Sequence, residues 1–367
     1  MQIKKFIAEG FRNIEKCEIE FLPGVNLLRG NNAQGKTNAV EGIYVFARGK
    51  SFRAKEDKEL ISFGGEGFRI FIEYETENGN ETLEYAYFGR QRQRKKNGYK
   101  LSGLREMLGS FKAVLFYPDD LSLVKDSPEE RRAFLNVAIS QCYDAYLGIY
   151  SDFKNALENR NRILKNASKG LFCDDNELIA WSESMAEYAS HVHLFRKKYT
   201  LEIEKYAKEI MLDISNGKEE LSLSYKSEVS SELSSLSEIK REYIRVFTSE
   251  LEREKIVGVS LFGPQRDDIE IKLNGVSARS FASQGQQRSI VLALKLAEGE
   301  VNREICGEYP VFLFDDVLSE LDESRRQYVL SGKGDRQIII SSCEEDTEIF
   351  SADRIYEVRG GRYEKIK

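Results

Sequence analysis

At 367 residues the chain is long enough for two domains, and a hydrophobic content of 41% supplies a sizeable core. Acids outnumber bases 61 to 55, a net charge of −6 that speaks against a broadly basic nucleic-acid binder while leaving room for a local basic patch. No apolar run is long enough to cross a membrane, no secretory leader is visible, and the 5 cysteines form no C-x-x-C pair, so a cytosolic protein with reduced, structural thiols is expected.

The first third reads as short strands. Apolar and polar residues alternate over 1–8 and 17–21, and 25–28 is a short apolar strand. A glycine-rich turn and a helix over 36–47 follow. Segments 68–76 and 81–88 flank Glu77-Asn78-Gly79-Asn80, whose composition predicts a hairpin turn, and Asn97-Gly98 predicts another. A strand over 112–117 stops at Pro118.

Beyond Pro118 the periodicity turns helical, from about 127 to 212. Pro128 followed by Glu129 and Glu130 marks a helix start, because Pro fits the first turn and acids suit the positive end of the helix dipole. Segment 171–176 reads as a loop, 215–218 as a break, 221–227 as a strand and 238–255 as a helix, with the serine-rich stretch 222–237 as a surface connection. His191 and His193 are two apart on a predicted helix and project to different faces, which argues against a metal site.

Strand character returns at Val257, and 269–273 alternates before the turn Asn274-Gly275. A helix spans 283–302, 311–314 and 336–341 read as buried parallel strands, and Gly360-Gly361 splits two last strands. The expected organisation is an α/β head of residues 1–118 plus 257–367, interrupted by a mainly helical lobe at 119–256.

Gly30-Asn31-Asn32-Ala33-Gln34-Gly35-Lys36-Thr37 matches G-x-x-x-x-G-K-[ST] between an apolar strand and a helix. Glycines let backbone amides turn inward around phosphate oxygens, at the positive end of the helix that follows. Lys36 is the candidate for the β- and γ-phosphates and Thr37 for Mg²⁺. In Val311-Phe312-Leu313-Phe314-Asp315-Asp316 two carboxylates end a buried strand, where ligands of open α/β sheets bind. Asp315 is expected to hold Mg²⁺ and Asp316 to orient or deprotonate the attacking water.

A third string, Ser283-Gln284-Gly285-Gln286-Gln287-Arg288, opens a helix and offers a hydroxyl and amides to an anion. Ser319-Glu320-Leu321-Asp322 follows the Asp pair. Each string also has a bland reading as a helix cap, but their order is similar to that of ABC-type ATPases, which implies a P-loop head of that class. In such proteins the signature string touches the γ-phosphate held by the other subunit, and the segment matching Ser319–Asp322 crosses the dimer seam.

The chain resembles the RecF family of SMC-like ATPases. The resemblance is carried by Gly10-Phe11-Arg12-Asn13, the P-loop, Lys50-Ser51-Phe52-Arg53, Pro118-Asp119-Asp120-Leu121, Ser127-Pro128-Glu129-Glu130-Arg131-Arg132, Gly263-Pro264-Gln265-Arg266-Asp267-Asp268, the signature and residues 314–322. It implies ATP and Mg²⁺ as cofactors and an ATP-dependent homodimer on duplex DNA or single–double-strand junctions. It also implies weak, DNA-stimulated ATP hydrolysis acting as a switch, and RecR, RecO and RecA as partners in DNA repair, recombination and replication. On this resemblance Gly30 to Thr37, Arg12, Ser283, Gly285, Gln286 and Asp322 contact the nucleotide. The family more often has histidine where Phe52 and Gln265 stand, and Ser341-Ser342-Cys343 occupies the place of the ABC switch histidine.

For DNA, the most basic run is Arg90-Gln91-Arg92-Gln93-Arg94-Lys95-Lys96, with Lys50 and Arg53 as weaker candidates. The alternative reading of the run is a solvated hairpin whose cations discourage edge pairing. Two other functions compete: an ABC transporter ATPase subunit, which needs a membrane partner and normally the switch histidine, and a P-loop kinase, which has no use for Ser283–Gln287.

Overall fold

The computed structural model describes residues 1–230, 232–331, 335–343 and 350–367. In chain order the elements are β1 (Gln2–Phe11), β2 (Ile14–Glu20), β3 (Val25–Arg29), α1 (Lys36–Arg48), β4 (Gly67–Thr76), β5 (Gly79–Phe88), β6 (Gln91–Lys96), β7 (Tyr99–Lys100), α2 (Leu104–Met107) and β8 (Ala113–Phe116). Then come α3 (Ser122–Lys125), α4 (Pro128–Cys142), α5 (Asp144–Ala167), α6 (Asp175–Ile214), β9 (Leu221–Lys226), α7 (Leu236–Ser249), α8 (Leu251–Val257), β10 (Asp268–Leu273), β11 (Val276–Ser277) and α9 (Ala278–Phe281). The last are α10 (Gln284–Cys306), β12 (Val311–Asp315), α11 (Glu323–Ser331), β13 (Ile338–Ser342), β14 (Arg354–Arg359) and β15 (Arg362–Lys365).

Two compact units divide the chain: Met1–Leu121, Glu209–Lys218 and Gln284–Lys367 form the first, and Ser122–Lys208 with Glu219–Ser283 the second. The first holds two sheets. One is antiparallel, in the order β2-β1-β4-β5-β6-β7; the other runs β15-β14-β3-β13-β12-β8 and is parallel except for β15. Helix α1 packs on β1 and also on β12 and β13, so it is covered from two sides. That explains its sequence: Ala39, Val40, Ile43, Tyr44, Val45 and Phe46 surround the axis instead of forming one stripe, and all are buried. Their side chains join those of both sheets in one core, the larger aliphatic and aromatic ones each contributing on the order of 1.5–3 kcal/mol.

Helix α10 lies close on the parallel sheet because Gly299 has no side chain; a Cβ there would stand 2.2 Å from the Phe312 ring. The same helix buries Lys295, whose ammonium is 3.1 Å from the Asp120 carboxylate. Glu298 is also buried, and one of its oxygens has no hydrogen-bond partner. Burial pushes its carboxyl up to about 7, against the pull of Lys295. A carboxyl raised on folding supports the fold at low pH, and that support is lost as pH rises through the folded value. Glu298→Gln should therefore be more stable than the parent at pH 8, by on the order of 1–3 kcal/mol, with the gap closing towards pH 5; chemical denaturation at the two pH values checks it.

In the second unit, helices α3 to α9, with α6 only as far as Lys208, accompany a three-stranded antiparallel sheet, β11-β10-β9. Asn274 and Gly275, with φ of 50° and 80°, make the two-residue turn that their composition predicts. The unit boundaries fall elsewhere than at 119 and 256. Residues 257–283 group with the helical unit because β10 pairs with β9 across the intervening helices α7 and α8. No strand begins at Val257: α8 runs to that residue and is capped by Gly258 in the left-handed region. Alternation marks β10 as a strand but does not name its partner.

Candidate nucleotide site

Strand β3 ends at the C-terminal edge of the parallel sheet, and the loop 30–37 starts there. Two of its glycines are required by geometry. Gly30 has φ 158° and a Cβ would meet the Val358 carbonyl oxygen at 2.4 Å; Gly35 has φ 114° and caps α1. Ala33 also takes a left-handed φ, 64°. Asn31, Asn32 and Ala33 are exposed, whereas Gly35 and Lys36 are buried. A loop of this shape at the start of a 13-residue helix is a ready anion site.

Lys36 Nζ donates to the carbonyls of Gly30 at 2.8 Å and Asn31 at 3.1 Å. It also lies 3.9 Å from Asp316 Oδ1, a buried oxygen with no hydrogen-bond partner. Thr37 Oγ1 donates to Asp315 Oδ1 at 2.9 Å, and Ser341 Oγ donates to the same oxygen at 2.6 Å. Burial raises the Asp315 carboxyl above its usual value, and the Ser341 and Thr37 hydroxyls pull it back. Asp316 takes a left-handed φ of 54°, and its N–H points at Ser341 O and Ser341 Oγ, 3.2 and 3.1 Å away. The structure thus brings Lys36, Thr37, Asp315 and Asp316 together, as their motifs predict. A hydroxyl meeting a carboxylate beside a phosphate loop suits a hard, oxygen-seeking cation such as Mg²⁺, which takes few protein ligands and completes its shell with phosphate and water.

The contacts of three residues here were not foreseen from the sequence. Ser341, at the place of the absent switch histidine, ties both aspartates to β13. Glu41 is an acid in the otherwise apolar middle of α1 and is fully buried. It grips Arg12 through two hydrogen bonds, at 3.0 and 2.7 Å, and also accepts from Ser51. The Arg12 guanidinium, expected on the nucleotide, is therefore held by Glu41 and by the Glu59 carbonyl. Asn38 completes the group, donating to Asn13 and accepting from Arg53. A buried acid on an apolar helix face was the available signal for Glu41, since such a group needs a cation.

Ser283 is exposed immediately before α10, Gln284 and Gly285 are exposed in its first turn, and Gln286 is partly so. Arg288 is paired to Glu320 at 2.8 Å. Asp322 accepts the Arg325 N–H and the Ser324 hydroxyl at the start of α11, as its helix-cap reading predicts.

The basic run is strand β6, paired to β5, with Arg90 in the turn before it, and most of its charge is spent locally. Arg92 meets Asp57, Lys95 meets Glu84, Lys96 meets Glu81, and the Arg94 guanidinium lies 4.8 Å from the centre of the Tyr85 ring. Arg53 is drawn to Glu41 at 3.6 Å, and Lys50 is exposed. Arg90 makes no hydrogen bond or ion pair among the described residues, and it is exposed. If this strand touches DNA, Arg90→Ala should lower the slope of log K against log salt by about 1, whereas Lys95→Ala should act mainly on stability. Salt titrations of binding read the first and thermal melting the second.

The geometry agrees with three comparisons. The RecF/RecN/SMC N terminal domain family matches residues 2–366. A DNA replication and repair protein RecF of Staphylococcus epidermidis is 37% identical over 98% of this chain and 99% of its own, and one of Staphylococcus aureus USA300 gives the same figures. A solved structure of the recombination mediator protein RecF with ATP, in the RecFOR pathway, superposes with a TM-score of 0.92 at 32% identity, covering 100% of this chain and 98% of that one. The Smc head domain of Pyrococcus furiosus, at TM-score 0.57 and 17% identity over 100% of this chain and 96% of that one, shares the fold. With the match running through both compact units, the chain belongs to the RecF/RecN/SMC N-terminal-domain family and, within it, to the RecF proteins.

Proposed function

We propose that this chain is an ATP-dependent DNA-binding clamp of recombinational repair. Two copies close on ATP over duplex or gapped DNA, hydrolyse it slowly under DNA stimulation, and help RecR and RecO to load RecA at single-strand gaps. The observation that carries the reading is a phosphate loop with its Lys, Thr and Asp partners in contact, in a chain whose signature residues Ser283, Gln284 and Gly285 stand exposed. On this reading the phosphate loop is one half of a nucleotide pocket, and the exposed signature segment of another copy supplies the other half. A relative with ATP bound and nearly full-length overlap supports the ligand.

When bound, Mg²⁺ would be held by Thr37 and Asp315 and would neutralise phosphate charge. Lys36 balances the remaining charge, and Asp316, poised on its left-handed backbone, is the group to orient water. Asp316→Asn should bind ATP normally, hydrolyse it about 10²-fold more slowly and lengthen the life of the ATP dimer. Turnover at the parent rate in that variant removes Asp316 from the catalytic set. The overall reading is tested by measuring molecular mass with and without ATP, then with gapped DNA. A monomer under every condition, with no response of ATP turnover to DNA, defeats it.

A further inference from the structure

The phosphate loop is held from outside by the β14–β15 hairpin. The turn Gly360-Gly361, with φ of 54° and 78°, sends one N–H to the Gln34 side-chain oxygen at 2.7 Å and the next to the Gln34 carbonyl at 2.8 Å. Two residues on, the Tyr363 hydroxyl donates to the Gly35 carbonyl at 2.7 Å, and the Tyr363 ring packs against the core. The first hairpin closes the other side. A Cβ on Gly361 would stand 2.3 Å from the Asn13 carbonyl oxygen, and one on Gly35 would stand 2.7 Å from Asn13 Oδ1. The hairpin shares a sheet with the loop it grips, since β14 runs parallel to β3 and Glu357 holds Arg29 at 2.5 Å.

In a planar trans peptide the carbonyl of one residue and the N–H of the next point in opposite directions. Fixing the Gln34 carbonyl on the hairpin therefore turns the Gly35 N–H away from it, towards the phosphate side. The Gly35 carbonyl also accepts the Asn38 and Ala39 N–H groups of α1, at 3.0 and 3.3 Å, and Tyr363 adds to that hold, which does the same for the Lys36 N–H. Resting on the nucleotide reading above, we propose that the β14–β15 hairpin is a positioning element for the nucleotide, with Tyr363 and the Gly360-Gly361 turn setting the direction of two phosphate-binding amides. A glycine-containing loop left free would have to be ordered at the moment of binding, which weakens affinity. The hairpin removes that cost in advance and leaves the chemistry of the bound nucleotide to Lys36, Asp315 and Asp316.

The test uses the full chain and ATP, with affinity read by calorimetry and turnover at saturation. Tyr363→Phe keeps the ring and deletes one hydrogen bond, so the Kd for ATP should rise about 5-fold. Turnover at saturating ATP should stay within about twofold, and the melting temperature without nucleotide should move little. Gln34→Ala should give a similar loss of affinity, and the double variant a larger one. An unchanged Kd in both single variants, with or without a fall in melting temperature, overturns the proposal. Lys36→Ala separates the two ideas: if it binds ATP like the parent, the nucleotide reading itself fails, whereas lost binding there beside unchanged affinity in Tyr363→Phe sinks the hairpin proposal alone.

Discussion

Lys36→Ala should bind ATP at least about 100-fold more weakly than the parent, a loss of roughly 2.7 kcal/mol or more. The size of the effect follows from where the ammonium sits. It is 3% exposed, among the carbonyls of Gly30 and Asn31 and near Asp316 Oδ1. It is a positive charge in a poorly hydrated setting, where its attraction for phosphate is screened far less than at a surface. Removal also leaves the half-buried Asp316 carboxylate without its compensating charge, so that an anion would meet uncompensated negative charge at the same place. Lys36→Met is the gentler companion, since it keeps much of the aliphatic stem. Calorimetry with ATP measures the loss, and a melting curve without nucleotide confirms that the fold survives. Parental affinity in both variants would defeat the nucleotide reading, whereas a measurable loss of less than tenfold would make Lys36 mainly a strut for its own loop.

Ser283→Arg should produce the opposite pattern: ATP binding within about threefold of the parent, but no ATP-dependent dimer and turnover reduced by at least about tenfold. Ser283 is exposed, so a longer side chain there need not disturb the core. The expected damage comes from what the residue would meet on another molecule. A bulky cation in place of a small hydroxyl would exclude the close approach that a phosphate-bridged interface requires. Sedimentation with and without ATP reads the association, and titration of the monomer reads the binding. An ATP-dependent dimer of parental affinity in this variant would remove the signature from the interface and with it the clamp.

Local strings with strict geometric demands were legible in the sequence. Gly30, Gly35, Lys36 and Thr37 fall where their spacing places them, because backbone direction and reach around a phosphate are properties of a few adjacent residues. The Asn-Gly turns belong to the same class, as does the buried run ending in Asp315, whose unbroken apolar character requires cover on both faces. The charges of 90–96 were legible as composition but not as function, for their partners Asp57, Glu81 and Glu84 come from other segments.

By itself, then, the sequence determined the α/β class, the phosphate loop, the aspartate pair that ends a buried strand and the order of motifs that marks the family. Each depends on neighbours along the chain or on the match of whole strings. Tertiary structure alone decided that Glu41 takes Arg12, that Ser341 bonds to Asp315, that Tyr363 supports Gly35 from more than 300 residues away, and that β10 pairs with β9. These are pairings between distant segments, fixed by burial and by the need of each enclosed polar group for a partner. No periodicity or short motif records which two surfaces the folded chain will press together.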